Sequence, residues 1–176
     1  MRWVVFLRGV NVGKANRCQP AVIASQLSRL GVINIGAVGT FVVRKDVSES
    51  ALRSAFAKKL PFKCEIMICP ARDIIKLATK DPFSGQPSGE KITRFVSVLA
   101  KSLPLPLPVN LPHCLPSPDE WLLKITGIQD RFVLGVYRRE MKAIGYLGKI
   151  EKLLGVPATT RSWNTIQKIV QILAQA

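Results

Sequence analysis

The amino-acid sequence predicts an α+β fold in two halves, the first ferredoxin-like and the second a smaller α+β unit that ends in two helices. In residues 1–70, strand-like and helix-like patterns follow in the order strand, helix, strand, strand, helix, strand. That order is typical of an antiparallel sheet covered on one face by two helices. A proline-rich stretch at residues 104–118 marks a join or an insertion in the second half, residues 71–176. With 176 residues, 48% of them apolar, the chain can bury one good core or two small halves packed together.

The elements of the first half are predicted from hydrophobic periodicity and end signals. Strands are expected over three apolar runs, the second divided by a bend at Gly36 and Gly39: RWVVFLR, INIGAVGTFVVRK and FKCEIMICP. A helix is expected between Pro20 and Gly31, because proline suits the start of a helix and glycine the position just past its end. Ser48 is a candidate N-cap for the next helix, over residues 51–60.

The second half is predicted to contain a linking helix, a strand and a hairpin before its two final helices. The first three elements are assigned, in chain order, to ARDIIKLATKDPF, ITRFVSVLAK and EWLLKITGIQDRFVLGVYRR, with the hairpin turn around residues 127–130. Residues 104–118 hold six of the twelve prolines and are expected to form an extended excursion outside the sheet, with a short helix as an option near its centre. The final helices are expected over MKAIGYLGKIEKLLG and TRSWNTIQKIVQILAQA, separated by VPATT.

The charge of the chain is its largest departure from an ordinary composition. It carries 26 Lys and Arg against 11 Asp and Glu, a formal net charge of +15. Such a surplus favours polyanionic partners, nucleic acid first, because binding releases condensed counterions and the field steers association. The positive charges are dispersed along the chain, with pairs at Lys58 and Lys59 and at Arg138 and Arg139. Nucleic acid or another polyanion is therefore the expected partner.

Cysteine, histidine and hydropathy patterns limit the other classes of function. The four cysteines have no Cys-x-x-Cys spacing and are expected to be reduced thiols, and with His113 as the single histidine no metal site is expected. We expect no cofactor. The apolar stretches are too short or too interrupted by charge to span a bilayer, and Arg8 interrupts any signal-peptide core. We therefore expect a cytoplasmic protein without a membrane partner.

The stretch LRGVNVGKAN follows the first predicted strand and resembles a phosphate-binding loop. A P-loop needs four residues between its glycines and a Ser or Thr after its lysine, whereas Gly9 and Gly13 enclose three residues and Ala15 follows Lys14. The nucleotide-triphosphatase interpretation is thus excluded. Two interpretations stay open: an anion site or a purely structural loop. The candidate residues for the anion site are Arg8, Asn11, Gly13, Lys14 and Arg17.

A second polar stretch, PATTRSWNTIQK, precedes the last predicted helix. Its hydroxyl groups are candidate helix caps, and the start of a helix beside a cation favours anions. Trp163 is either a platform for stacking a base or a buried anchor of the last helix. The candidate ligand-binding residues here are Thr160, Arg161, Trp163 and Asn164.

Hydrolytic and acid-base catalysis find little support in the sequence. The carboxylates are few and scattered, and no G-x-S-x-G nucleophile motif is present. His113 is the only imidazole available to activate a nucleophile. No catalytic residue is therefore assigned.

LRGVNVGKAN and VPATTRSWNTIQKI together resemble the two signatures of an uncharacterised, mainly bacterial family, domain of unknown function 1697. Its members typically read Leu-Arg-Gly-Ile-Asn-Val-Gly-Gly and Thr-Thr-Arg-Asn-Trp-Asn-Thr. The resemblance implies two α+β halves, the first ferredoxin-like, and it implies no biochemical activity. This chain departs from the pattern at several positions, among them Lys14 in place of a glycine and Ser162 in place of an asparagine.

Three hypotheses for function follow. The leading one is a non-enzymatic binding protein for a phosphate-bearing or polyanionic partner. The second is an enzyme acting on a small anionic ligand in a cleft between the halves, which requires Asn11, Arg161 and Asn164 to meet in one pocket beside an acid-base group. The third is a structural module that forms a homodimer through a sheet edge.

Overall fold

The computed structural model describes residues 1–175 and divides the chain into two compact units. The first unit comprises Met1–Thr79 and the described residues from Thr165 onward, and the second is Lys80–Asn164. Each contains one antiparallel sheet with helices, so the α+β prediction is confirmed. The sequence predicts a boundary after residue 70, whereas the first of these units also includes residues 71–79 and the described residues from Thr165 onward.

The first unit contains a four-stranded antiparallel sheet in the order β2-β3-β1-β4. Its strands are β1 Trp3–Leu7, β2 Val32–Ile35, β3 Thr40–Val43 and β4 Ile66–Pro70. Its helical segments are α1 Pro20–Gln26, a 3-10 turn at Ser28–Leu30, α2 Glu49–Lys59 and α3 Ala71–Thr79. Strand β4 begins later than predicted from FKCEIMICP, so Cys64 precedes the strand.

Local signals account for the helix boundaries in this unit. Pro20 occupies the first turn of α1, and Gly31 ends the 3-10 turn with a left-handed φ of 66°. The Ser48 side chain accepts a hydrogen bond of 3.2 Å from the Ala51 N–H, so its predicted capping role is confirmed. Apolar side chains of α2 face the sheet, where the Phe56 ring lies 5.0 Å from that of Phe41.

Two helices beyond residue 70 join the first unit through the start of its central strand. Helix α3 follows β4 without a loop, and the Ala71 N–H donates to the Arg2 carbonyl at 3.0 Å. The last helix, α6, spans Trp163–Ala174, and the Arg2 guanidinium donates to its Leu173 carbonyl at 2.7 Å. Both bonds join residues that are far apart in the sequence, so hydrophobic periodicity gives no sign of them.

The second unit contains a five-stranded antiparallel sheet in the order β6-β7-β8-β5-β9. Its strands are β5 Ile92–Leu99, β6 His113–Leu115, β7 Leu123–Gln129, β8 Phe132–Arg138 and β9 Ala158–Ser162. The short helices α4 Met141–Leu147 and α5 Lys149–Leu154 follow the hairpin, where a single helix had been predicted. The buried side chains of Ile150 and Leu154 pack with those of Phe95, Leu123 and Val133 in one core.

Two predictions for the second unit are wrong because strand pairing is not local. Within the proline-rich stretch, His113–Leu115 pairs with β7 at the sheet edge, where neighbouring prolines are tolerated. Residues 158–162, expected as loop and helix start, form the opposite edge strand, which suits their β-branched threonines. The hairpin turn also lies later than predicted, at Asp130 and Arg131.

In the part of the chain that the structure describes, no helix is long and apolar enough to cross a membrane.

Candidate functional site

The loop that follows β1 has a backbone that requires its glycines and asparagines. Gly9, Asn11, Gly13 and Asn16 all have positive φ, at 67°, 55°, 65° and 51°. Glycine adopts this left-handed region without a steric penalty, and asparagine is the side chain that tolerates it best. The spacing of these residues in LRGVNVGKAN is therefore explained by a repeatedly turning loop.

The Asn11 side chain fastens this loop to its surroundings. Its amide nitrogen donates to the carbonyls of Cys18 at 2.9 Å and Ala37 at 2.7 Å, and its amide oxygen accepts from the Cys18 N–H at 3.0 Å. The Asn11 backbone N–H donates to the Asn16 carbonyl at 3.1 Å. Asn11 thus joins both arms of the loop to the turn between β2 and β3. This candidate ligand-binding residue therefore has a structural role.

Three connections gather at the end of the sheet where β1 stops. Antiparallel pairing places the end of β1 beside the starts of β3 and β4. The Leu7 N–H donates to the Gly39 carbonyl at 2.8 Å, and the Arg8 N–H donates to the Glu65 carbonyl at 3.0 Å. The loop 8–19, the turn 36–39 and the segment 58–65 therefore lie at the same end of the first unit.

This end of the first unit concentrates positive charge. The predicted candidates Arg8, Lys14 and Arg17 are exposed, and three further exposed lysines accompany them. We call this set the basic end: Arg8, Lys14, Arg17, Lys58, Lys59 and Lys63. Glu65 is the only carboxylate in the three connecting segments, all of which the structure describes.

The other acidic residues of the first unit belong to different segments and have cationic neighbours. Asp46 pairs with the N-terminal ammonium, Glu49 with Arg53 at 2.9 Å and Asp73 with Arg72 at 3.6 Å. In all, this unit carries fourteen Lys and Arg but four Asp and Glu, so it holds ten of the fifteen surplus positive charges. Its surplus is thus least compensated at the basic end.

Two adjoining depressions mark the surface of the basic end. One of them, which we call the basic depression, is lined by Asn11, Arg17, Cys18, Gln19, Ala37 and Val38. The other, which we call the apolar groove, measures about 260 Å³ and is lined by Cys18, Gln19, Val22, Ile23, Gln26, Lys59 and Pro61. Both include Cys18 and Gln19, so a ligand can extend from one depression into the other.

The two thiols in this region are not activated nucleophiles. Burial raises the pKa of Cys18. Burial, and then the nearby Cys18 thiol, raise the pKa of Cys64. Both groups are therefore protonated at neutral pH, and the basic end carries no thiolate. Among residues 1–175 there is also no group of three His, Cys, Asp or Glu side chains that could hold a metal ion.

The candidate residues of the second polar motif lie in the other unit, where most of their side chains make internal contacts. The Thr160 and Ser97 hydroxyl oxygens are 2.6 Å apart, and the Trp163 ring packs edge-on against Phe83 with centroids 5.1 Å apart. Trp163 is buried, in agreement with its interpretation as an anchor. Asn164 is exposed in the first turn of α6.

Arg161 is a buried cation with partners in its own strand. Its side chain is buried, and its guanidinium donates to the Thr159 hydroxyl at 2.7 Å and the Thr160 carbonyl at 2.9 Å. Burial lowers its pKa to about 10, so it stays charged at neutral pH. Its position in β9 gives this candidate ligand residue a structural environment that the sequence did not predict.

The three additional lysines of the basic end were missed as site residues. Lys58 and Lys59 stand in the last turn of α2, and Lys63 follows in the connection to β4. The predicted order of elements contained a usable signal, because the end of the second helix and the start of the fourth strand are joined by this short segment.

Comparison with known proteins concerns family and fold. A family model described as "Protein of unknown function (DUF1697)" matches residues 1–110, a range that includes the basic end. In the solved structures, the conserved bacterial protein SP0830 from Streptococcus pneumoniae is similar, with 18% sequence identity and a TM-score of 0.60. The alignment covers 98% of each chain, and at this identity it shows the fold alone. No curated protein matches this chain.

Proposed function

We propose a binding function for this chain, which belongs to the DUF1697 family of proteins of unknown function. Its basic end binds a phosphate-bearing polyanion, in the first place nucleic acid. The observation that carries this proposal is the separation of charge within the first unit. The connecting segments at this end carry six exposed cations but only one carboxylate, Glu65, and all of them are described by the structure. Such a surface attracts polyanions over long range and gains free energy from counterion release.

A ferredoxin-like arrangement of the first unit is part of the proposal. The element order β1-α1-β2-β3-α2-β4 and the sheet order β2-β3-β1-β4 support it. In this arrangement the loop after β1 and the connection after α2 lie at one end of the sheet. The loop that carries Lys14 and the connection that carries Lys63 therefore share one end of the sheet in this arrangement, although they are far apart in the sequence.

Binding without catalysis is the form of the proposal that the chemistry of the basic end favours. General acid-base catalysis needs a group whose pKa lies near the working pH. The raised pKa of Cys18 and Cys64 leaves both thiols protonated, and Asn11 is occupied by hydrogen bonds to the backbone. Apart from Glu65, the side chains proposed for binding are cations and amides, which can hold phosphates through charge-assisted hydrogen bonds.

We expect a labelled 12-nucleotide oligonucleotide to bind with an affinity that falls steeply as salt rises. If about four phosphates are neutralised, the plot of log K against log salt concentration has a slope of about −3 for a single strand. Fluorescence anisotropy at several NaCl concentrations measures this slope. No binding at low salt, or binding that does not change with salt, would contradict the proposal.

A further inference from the structure

The apolar groove differs in chemistry from the basic depression that it adjoins. Helix α1 contributes Val22, which is 46% exposed, and Ile23, which is almost fully buried, and Pro61 also lines the groove. Lys59, which belongs to the basic end, also lines the groove. An apolar surface next to cations suits a ligand that has an uncharged flat part and a charged part.

Two glutamines give the groove a polar rim. Gln19 and Gln26 line it, both are exposed, and neither side chain has a hydrogen-bond partner among residues 1–175. A primary amide offers a donor and an acceptor together, the combination that pairs with the edge of a nucleobase. The groove therefore has an apolar surface for the face of a base and amides for its edge.

We propose that the apolar groove receives one unstacked base of a single-stranded nucleic acid, while the basic end holds the neighbouring phosphates. This inference rests on the proposed function and specifies its ligand class. The groove and the basic depression share Cys18 and Gln19, so a base and the adjacent phosphate can occupy them together. In a duplex the bases are stacked and paired, and a groove of about 260 Å³ in the protein surface has no access to their faces.

Single strands are therefore preferred over duplexes and over polyanions without bases. A base that covers the apolar surface of the groove removes that surface from water, which strengthens single-strand binding by about fivefold. We expect at least this ratio between a 12-nucleotide single strand and its duplex at equal salt concentration. Inorganic polyphosphate has negative charge but no base, so its affinity measures the electrostatic contribution to binding alone.

The decisive variant is Val22→Ser, which removes apolar surface from the groove without changing charge. Because Val22 contributes aliphatic surface that the base would bury, we expect it to reduce single-strand affinity about threefold to tenfold while polyphosphate binding and the salt slope stay the same. Ile75→Ser is the matched control, because Ile75 is similarly exposed at 37% but lies on α3 outside the groove. A melting curve for each variant verifies that both are folded, and a 2-aminopurine base in the oligonucleotide reports burial through its fluorescence.

The possible results separate this inference from the proposed function. Equal affinity for single strand, duplex and polyphosphate, with no effect of Val22→Ser, would overturn the base site and leave the basic end as a polyanion site. Displacement of the 2-aminopurine signal by octanoate, without single-strand preference, would assign the groove to an acyl chain and would also overturn it. Absence of any binding at low salt would contradict both proposals.

Discussion

Replacement of Gly135 by alanine is expected to lower the free energy of unfolding of the second unit by about 3 kcal/mol. Gly135 lies in β8, between β5 and β7. A Cβ atom there would be 2.4 Å from the Lys124 carbonyl oxygen and 2.5 Å from Cζ of Phe95. The first neighbour is backbone and the second is a fully buried ring, so neither moves without disturbing the sheet or the core.

Gly127→Ala is the matched control for this prediction. Gly127 lies on the neighbouring strand β7, and its added Cβ would meet the Leu134 side chain at an ordinary distance of 3.8 Å. We expect a change within about 0.5 kcal/mol. Urea denaturation followed by circular dichroism and by tryptophan fluorescence measures both variants. Equal stability of the Gly135→Ala and Gly127→Ala proteins would refute the close packing at β8.

Removal of three cations from the basic end is expected to have the largest effect on binding. The variant replaces Lys14, Arg17 and Lys63 by serine. It leaves every residue that lines the apolar groove unchanged, including Lys59, and it changes one residue of the basic depression, Arg17. If each cation neutralises one phosphate of a single strand, the salt slope becomes shallower by about 2. Affinity at 0.1 M salt then falls about 100-fold, since the electrostatic contribution vanishes near 1 M.

An equal loss of charge elsewhere in the same unit provides the control. Arg29, Arg44 and Lys45 are exposed near the start of β1, since Trp3 pairs with Val43 and the Arg44 N–H donates to the Gly31 carbonyl. Changing these three to serine lowers the net charge by the same amount. We expect an affinity loss of less than about fivefold, because exposed charges beyond a Debye length are largely screened. Similar losses for the two triple variants would show that net charge, rather than the basic end, determines binding.

The elements that were predicted from the sequence are those with local causes. Strand β1 is an uninterrupted apolar run buried along its whole length, and α2 begins after a Ser48 cap and continues to Lys59. The edge strands β6 and β9 were missed because their pairing partners lie elsewhere in the chain. The prolines around β6 indicate a loop, and the hydroxyl residues of β9 resemble a helix cap. Strands of three and five residues give too weak a pattern to counter these signals.

The candidate site was predicted in part, and the physical reasons differ from residue to residue. Arg8, Lys14 and Arg17 surround a loop that glycine spacing identifies, whereas Lys63 becomes relevant only when strand pairing places its segment beside that loop. The burial of Arg161 depends on pairing between β9 and β5. A charged residue in a polar stretch gives no local sign of such pairing, so its internal environment was not foreseeable.

Asn11 shows how a motif with the composition of a binding loop also has a structural purpose. Its three side-chain hydrogen bonds are directed to backbone groups of Cys18 and Ala37, and its φ of 55° suits an asparagine. The conformation of the loop thus depends on Asn11, and Lys14 and Arg17 are exposed on it. Lys14, where the resembling family typically has glycine, adds one cation to the basic end.

Photocrosslinking with a single-stranded oligonucleotide that contains 4-thiouridine tests the location of binding most directly. The proposal predicts that mass spectrometry will find the crosslinked peptides in residues 8–26 and 58–65, and that unlabelled oligonucleotide will compete for them. Crosslinks confined to the second unit, residues 80–164, or spread evenly over the cations of both units, would contradict binding at the basic end.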